Sequence, residues 1–189
     1  VLGVPFIIFL APGLIAMQVI QQSFSHSSSS FMIGKIQDNI VDLLYAPLSA
    51  TEVTISISLA AATRSFMIAI VSIITFYIII DIQIKYFFLL FLFTFLTSFI
   101  LGNIGIISGL FAEKFDHQAS ITNFVIVPLS FLSGTFYSIE RLPDFLKKIS
   151  ELNPFFYMID GFRFCFLGQS DGSIKTGIIY LLILSILSW

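Results

Sequence analysis

The side chains best equipped for chemistry are few and scattered. His26 and His117 lie far apart, and neither stands in a metal-ligand spacing. Cys165 is the only cysteine, so it has neither an internal disulfide partner nor a thiolate partner for a metal. A phosphate-cradling loop needs G-x-x-x-x-G-K-[ST]. The only Gly-Lys pair, Gly34-Lys35, is followed by Ile36 and has Ser29 where the first glycine should be. ATP is not bound in that way. The run Ser25 to Ser30, broken by His26, reads as a helix end or polar turn. His117 beside Asp116 reads as a solvated loop histidine, since no nucleophile or oxyanion donors accompany it. No catalytic residue and no metal site are expected. What remains is Arg64, alone in an apolar run, and Asp160 with Arg163 at i, i+3, a plausible ion pair.

The elements that must position these groups are membrane helices. Mean hydropathy is +1.01, and 57% of the 189 residues are hydrophobic against 11% charged. Soluble domains carry about 25% charged residues. The apolar stretches are Ile-, Leu- and Phe-rich and lack the alternation of barrel strands. An all-α, polytopic helical bundle follows, because a helix satisfies its own backbone in lipid. The net charge of -2 and the absence of a basic block give no footing for nucleic acid.

In chain order, a first span is expected over 3–24, with Pro12-Gly13 inside it. Residues 31–45 place Ile33, Ile36, Ile40, Leu43 and Leu44 on one face, opposite Lys35, Asp38, Asn39 and Asp42. At about 22 Å this separate helix is too short to cross and should lie on the membrane surface, passive or as a docking surface. Pro47 ends it, and Ser49 to Glu52 forms a capping box for the apolar run 53–80. Arg64 in that run either snorkels to the interface or lines a translocation path. A turn at 81–85 leads to a span over 86–111. There Ser98, Gly102, Gly105 and Gly109 fall at i, i+4, i+7 and i+11, a stripe for close helix packing within the subunit or across a dimer.

A polar loop at 112–119 carries Glu113, Lys114, Asp116 and His117, on the same membrane side as 31–45. A span over 120–139 should be irregular near Pro128. Pro143 then starts an amphipathic helix with Leu142, Phe145, Leu146, Ile149 and Leu152 on its apolar face. Asn153-Pro154 breaks it and caps a second helix over about 154–167, near 21 Å long. Neither helix can cross, so the two form a re-entrant or interfacial hairpin. Ile174 begins the last run. A single domain over 1–189 is expected, truncated at its N-terminus and, by the apolar run at Trp189, at its C-terminus.

The interior PGL, KIQDNIVDLLYAPLS, GLFAEKFDH, PLSFLSGTFYSIERLP and LNPFFYMIDGFR occur in an order that resembles the permease subunits of type-2 (ABC-2 type) ABC exporters. That group includes exporters of drugs, polysaccharides and nodulation lipo-oligosaccharides. The resemblance covers nearly the whole chain and is nearly silent on the substrate. It implies six spans with a cytoplasmic N-terminus, of which about five are visible. It implies a coupling helix seated on an ATPase subunit, a role falling on Lys35, Gln37, Asp38 and Asp42, with Glu113, Lys114 and Asp116 near the same contact. It implies an external re-entrant hairpin, carried here by Leu142, Pro143, Asn153, Pro154, Asp160, Gly161 and Arg163. The working transporter would hold two permeases, as a homodimer, and two ATPases in the bacterial inner membrane. ATP and Mg would be bound by the ATPase partner, with no cofactor in this chain.

Loop cations point the other way. The implied cytoplasmic loops offer Lys35 and Lys114, plus Arg64 if it snorkels; the implied outer side offers Lys85, Arg141, Lys147, Lys148, Arg163 and Lys175. The positive-inside rule favours the opposite orientation. Two other classes compete with the permease. An ion-coupled secondary carrier should place acids mid-membrane, and the apolar spans hold none. A non-catalytic membrane anchor would tolerate charge reversal at Asp38 and Asp42.

Overall fold

The computed structural model describes residues 5–38, 45–139 and 142–189. Among the described residues three helices are long and apolar enough to cross a membrane: α1 (Phe6–Ile36), α2 (Ala50–Ile80) and α3 (Phe87–Phe111). Consecutive helices run antiparallel, so α1 and α3 are parallel, and α3 packs on both of the others. One end of the bundle gathers the C-termini of α1 and α3 with the start of α2; this is termed the near end. The opposite, far end holds the start of α3 and the hairpin.

The first correction concerns α1. The expected span over 3–24, the serine turn and the start of the surface helix are one continuous helix of 31 residues, about 46 Å long. The serines do not break it because their hydroxyls fold back onto the helix. Ser30 Oγ donates to His26 O at 2.8 Å, and Ser29 Oγ donates to Ser25 O. Ser27 and Ser28 are buried against α3, so packing overrides the modest helix propensity of serine. The expected separate helix over 31–45 therefore begins as the last turns of α1, which ends at Ile36 with Asp38 at φ 57°. Its remainder, 39–44, lies outside the described residues.

Ser49 starts α2 with a full capping box: Glu52 N–H donates to Ser49 Oγ at 3.3 Å, and Ser49 N–H donates to Glu52 Oε2 at 2.7 Å. Asp81, left-handed at φ 50°, ends it. Much of α2 stays exposed, and Met67, Ile70, Val71, Ile74 and Ile78 give it an apolar outer face. That composition suits lipid.

The expected span over 120–139 is shifted toward the near end. It consists of α4 (Phe115–Ile121), a π-helical turn (Thr122–Ile126) and α5 (Val127–Leu132) in unbroken succession. The wide turn precedes Pro128, whose missing N–H and bulky ring disrupt the regular ladder. Asp116 and His117 thus belong to the helix rather than a loop. Gly134, at φ 84°, turns the chain out at the far end.

Next come α6 (Asp144–Leu152), α7 (Pro154–Leu167) and α8 (Ile174–Ser188). The helix α6 keeps Phe145, Leu146, Ile149 and Leu152 exposed. By contrast α7 is almost wholly buried, and Met158, Ile159, Phe162 and Phe166 share a core with Ile15, Val19 and Phe24 of α1 and Phe93, Leu96 and Ile100 of α3. Asn103 of α3 donates to Ser188 Oγ at 3.3 Å, so α8 runs from the far end back toward the near end.

Candidate functional site

At the near end, Lys35 is the organising residue. Its ammonium donates to Gly109 O at 2.9 Å, to Ala112 O at 3.2 Å and to Leu110 O. These are the orphan carbonyls at the C-terminus of α3, where a cation is favoured. Lys35 therefore staples the end of α1 to the end of α3 instead of projecting outward. Gln37 and Asp38 are exposed just beyond it, and Glu113, Lys114 and Asp116 are exposed just beyond Ala112. The staple brings the two polar stretches to one end of the bundle. Gln118 adds a second tie, its Nε2 donating to Ser25 O at 3.1 Å. His117 Nδ1 accepts from Glu113 N–H at 3.5 Å. Asp42 lies outside the described residues.

The far end is built around the hairpin. Asn153 Oδ1 accepts from Phe155 N–H at 3.1 Å, capping α7. The Asn153 amide reaches Leu129 O at 3.3 Å and Ser133 Oγ at 2.8 Å. Tyr180, six residues into α8, donates to Leu152 O at 3.1 Å. The Asn153-Pro154 tip is therefore sunk below the far surface, while α7 climbs back to it. There Lys85 N–H and Tyr86 N–H donate to Cys165 O at 2.9 and 3.1 Å, and Lys85 Nζ donates to Leu167 O at 2.5 Å. Leu142 and Pro143 lead into α6, with Leu142 N–H on Ile139 O at 3.1 Å. The hairpin folds back into the helical bundle from the far end.

The expected Asp160–Arg163 pair is corrected. The ion pair of Arg163 is with Asp171, at 3.7 Å, with both side chains buried. Asp160 instead accepts from the Asp171 and Gly172 backbone N–H groups at 2.9 and 3.0 Å. Arg163 also donates to Gly134 O at 2.6 Å and stands 4.0 Å over the Phe9 ring. Asp171 Oδ2 accepts from Ile139 N–H at 2.8 Å. The i, i+3 spacing was misleading because a buried α7 turns both side chains toward neighbouring loops. The Asp171-Gly172 turn and Gly134 escaped the sequence reading; turn-forming residues beside an apolar helix were the available signal. Gly161 lies against the Phe93 ring, which occupies the place of a side chain there.

The small-residue stripe faces α1 within this chain. A β-carbon on Gly105 would stand 2.5 Å from Phe24 O, and one on Gly109 would stand 2.8 Å from Ser28 O. Gly102 meets Ser27 and also Ser58 and Ala61 of α2, and Ser98 is buried on the same helix. The glycines thus admit the serine-rich part of α1 to within backbone contact. Ser23 and Ser65 lie 2.6 Å apart, and Ser58 Oγ donates to Asn103 Oδ1 at 2.6 Å. Arg64 is exposed, with Nη1 3.1 Å from His26 Nδ1.

Comparison with known proteins agrees with this architecture. The chain is 34% identical over 174 residues to the inner membrane transport permease YadH of Escherichia coli K12, covering 92% of this chain and 68% of that protein. The YadH protein of Shigella flexneri matches to the same extent. Nodulation protein J of Sinorhizobium fredii is 27% identical over 92 residues, 49% of this chain and 35% of the relative. Residues 1–167 match the family model described as ABC-2 type transporter. The chain therefore belongs to the ABC-2 type transporter family, as a membrane-embedded permease component of a transporter.

Proposed function

We propose that this permease is the membrane half of an ABC exporter in the bacterial inner membrane, and that a separate ATPase docks at the near end. The observation that carries the reading is the Lys35 staple. It holds Gln37 and Asp38 beside Glu113, Lys114 and Asp116, all exposed, on a rigid junction of two spanning helices. Force applied there is transmitted along α1 and α3 to the helices packed around α7. In this reading the near end is cytoplasmic, and the re-entrant hairpin shapes the outer mouth of the pathway. Two permeases, as a homodimer, and two ATPases complete the transporter, with ATP and Mg held by the ATPase. The cargo is an amphiphile, drug-like or glycan- or lipid-linked, moved outward by alternating access.

The test is co-purification of an ABC ATPase with the permease from membranes, with ATP hydrolysis measured in the reconstituted complex. Reversing Asp38 and Asp42 to Lys should weaken association and uncouple hydrolysis from export. Unchanged association and export in the double reversal would remove the docking assignment.

A further inference from the structure

The free face of α1 is polar where a lipid-facing helix should not be. Between residues 18 and 30, every α1 side chain that escapes burial is Gln, Ser or His. Gln18, Gln22, Ser25 and Ser29 recur at i, i+4, i+7 and i+11, with Gln21 and His26 on the flanks of the same stripe. The amides of Gln18, Gln21 and Gln22 have no hydrogen-bond partner among the described residues. Facing hydrocarbon, each would be left without a partner for its polar atoms, an arrangement that lipid strongly disfavours. The outer face of α2 is apolar, as lipid contact requires. The α1 stripe therefore faces something polar.

Arg64 sharpens what that is. It reaches from α2 to the edge of the stripe, 3.1 Å from His26 Nδ1. A guanidinium can only donate, so Nδ1 accepts and the imidazole is neutral, with its proton on Nε2. The pair carries one positive charge. Its level is set by Ser27, which packs on Gly102, nine residues inside the end of α3, about 13 Å along the helix. The other intramembrane cation, Arg163, has the Asp171 carboxylate. Among the described residues Arg64 has no carboxylate partner. The spanning stretches of a second copy cannot supply one, because residues 5–36, 53–80, 87–111, 117–139 and 172–189 contain no Asp or Glu. In a symmetric pair that copy would bring a second Arg64.

We infer that the α1 stripe lines the translocation route and that Arg64 with His26 receives the anionic headgroup of the transported amphiphile, a phosphate or carboxylate. The glutamine amides serve the remaining polar atoms of that headgroup. The apolar tail stays in the bilayer, against Met67 and Val71, exposed one and two turns beyond Arg64 on the lipid-facing side of α2. This assignment rests on the exporter reading above and names the substrate class for it.

The test uses the permease with its ATPase partner in nanodiscs of phosphatidylcholine. Gln22→Cys and Ser29→Cys are placed separately in a Cys165→Ser background and treated with a small charged thiol reagent. Both should label, whereas Leu59→Cys and Ile70→Cys, on the apolar face, should not. Dodecyl phosphate should slow labelling at least tenfold, and neutral dodecyl maltoside should not. Arg64→Gln should abolish that protection and Arg64→Lys should keep most of it. No labelling at Gln22 and Ser29 would mean a face closed by a second copy and would overturn the inference. Equal protection by both amphiphiles, or protection that survives Arg64→Gln, would overturn it too. So would co-purified anionic phospholipid lost on Arg64→Gln while dodecyl phosphate gives no protection, the mark of a resident lipid site. ATP hydrolysis in the same samples separates the two readings: coupled hydrolysis with an indifferent Arg64 removes this inference alone, and failure of the ATPase to associate removes the exporter reading.

Discussion

Replacing Arg163 by Met would test the buried charge cluster most directly. The substitution keeps the bulk of the side chain but leaves the Asp171 carboxylate, 3.7 Å away and buried, without its counter-ion. At that separation the attraction is worth about 4 kcal/mol with an effective dielectric constant of 20. Removing one partner of a buried pair costs about 3–5 kcal/mol, and Gly134 O also loses its donor. The reporter is built in. Cys165, the single cysteine, is buried two residues from Arg163, so it reacts with a thiol reagent only when α7 opens. When opening is in rapid equilibrium, a loss of 3–5 kcal/mol raises its labelling rate by roughly two to almost four orders of magnitude. Arg163→Met with Asp171→Leu should recover much of the loss, since a buried pair replaced by apolar residues is often neutral. A rate increase under tenfold for Arg163→Met, or additive damage in the double variant, would refute the view that this pair holds the hairpin in place.

The glycine seam offers a paired comparison. Gly105→Ala drives a methyl group against the Phe24 carbonyl and should cost about 1–3 kcal/mol, whereas at Gly102 the nearest atom is 3.4 Å away, the Ser27 hydroxyl, and alanine should be tolerated. Thermal unfolding in detergent orders the two; equal effects would exclude close approach of α1 as the purpose of the stripe. Ser49→Ala removes the Glu52 N–H acceptor and should lower stability by about 1 kcal/mol, read in the same assay.

Much of this was legible because lipid restricts the choices. Length and apolarity alone place α2 and α3, and Asn153-Pro154 marks the hairpin break without any structure. The misreadings share one cause. Ser25 to Ser30 looked like a turn by composition, yet the glycines that accommodate those serines lie some 75 residues later, a contact no local window contains. The tie that Lys35 makes to the end of α3 was equally hidden, because the carbonyls it satisfies are as distant in sequence. Asp160 and Arg163 looked like partners because spacing says nothing about the loops that surround a buried helix. Arg64 was visible as an exception, but the glutamines beside it became informative only once burial showed which face of α1 was free.

Sidedness can be argued to a single experiment. The positive-inside rule counts loop cations, and the structure removes Arg163 from that count, because it sits inside the bundle on α7. Lys85, Lys147, Lys148 and Lys175 nevertheless outnumber Lys35 and Lys114. The rule and the exporter reading thus make opposite predictions for the same chain. Lys148 and Lys114 are both exposed, the first on the hairpin and the second at the near end. In a Cys165→Ser background, Lys148→Cys should react with a membrane-impermeant thiol reagent on intact cells, and Lys114→Cys should react only after the membrane is opened. The reverse pattern would turn Gln37, Asp38, Glu113 and Asp116 away from the ATP-containing compartment. Docking of an ATPase at that end would then be impossible, and the hairpin would face the cytoplasm.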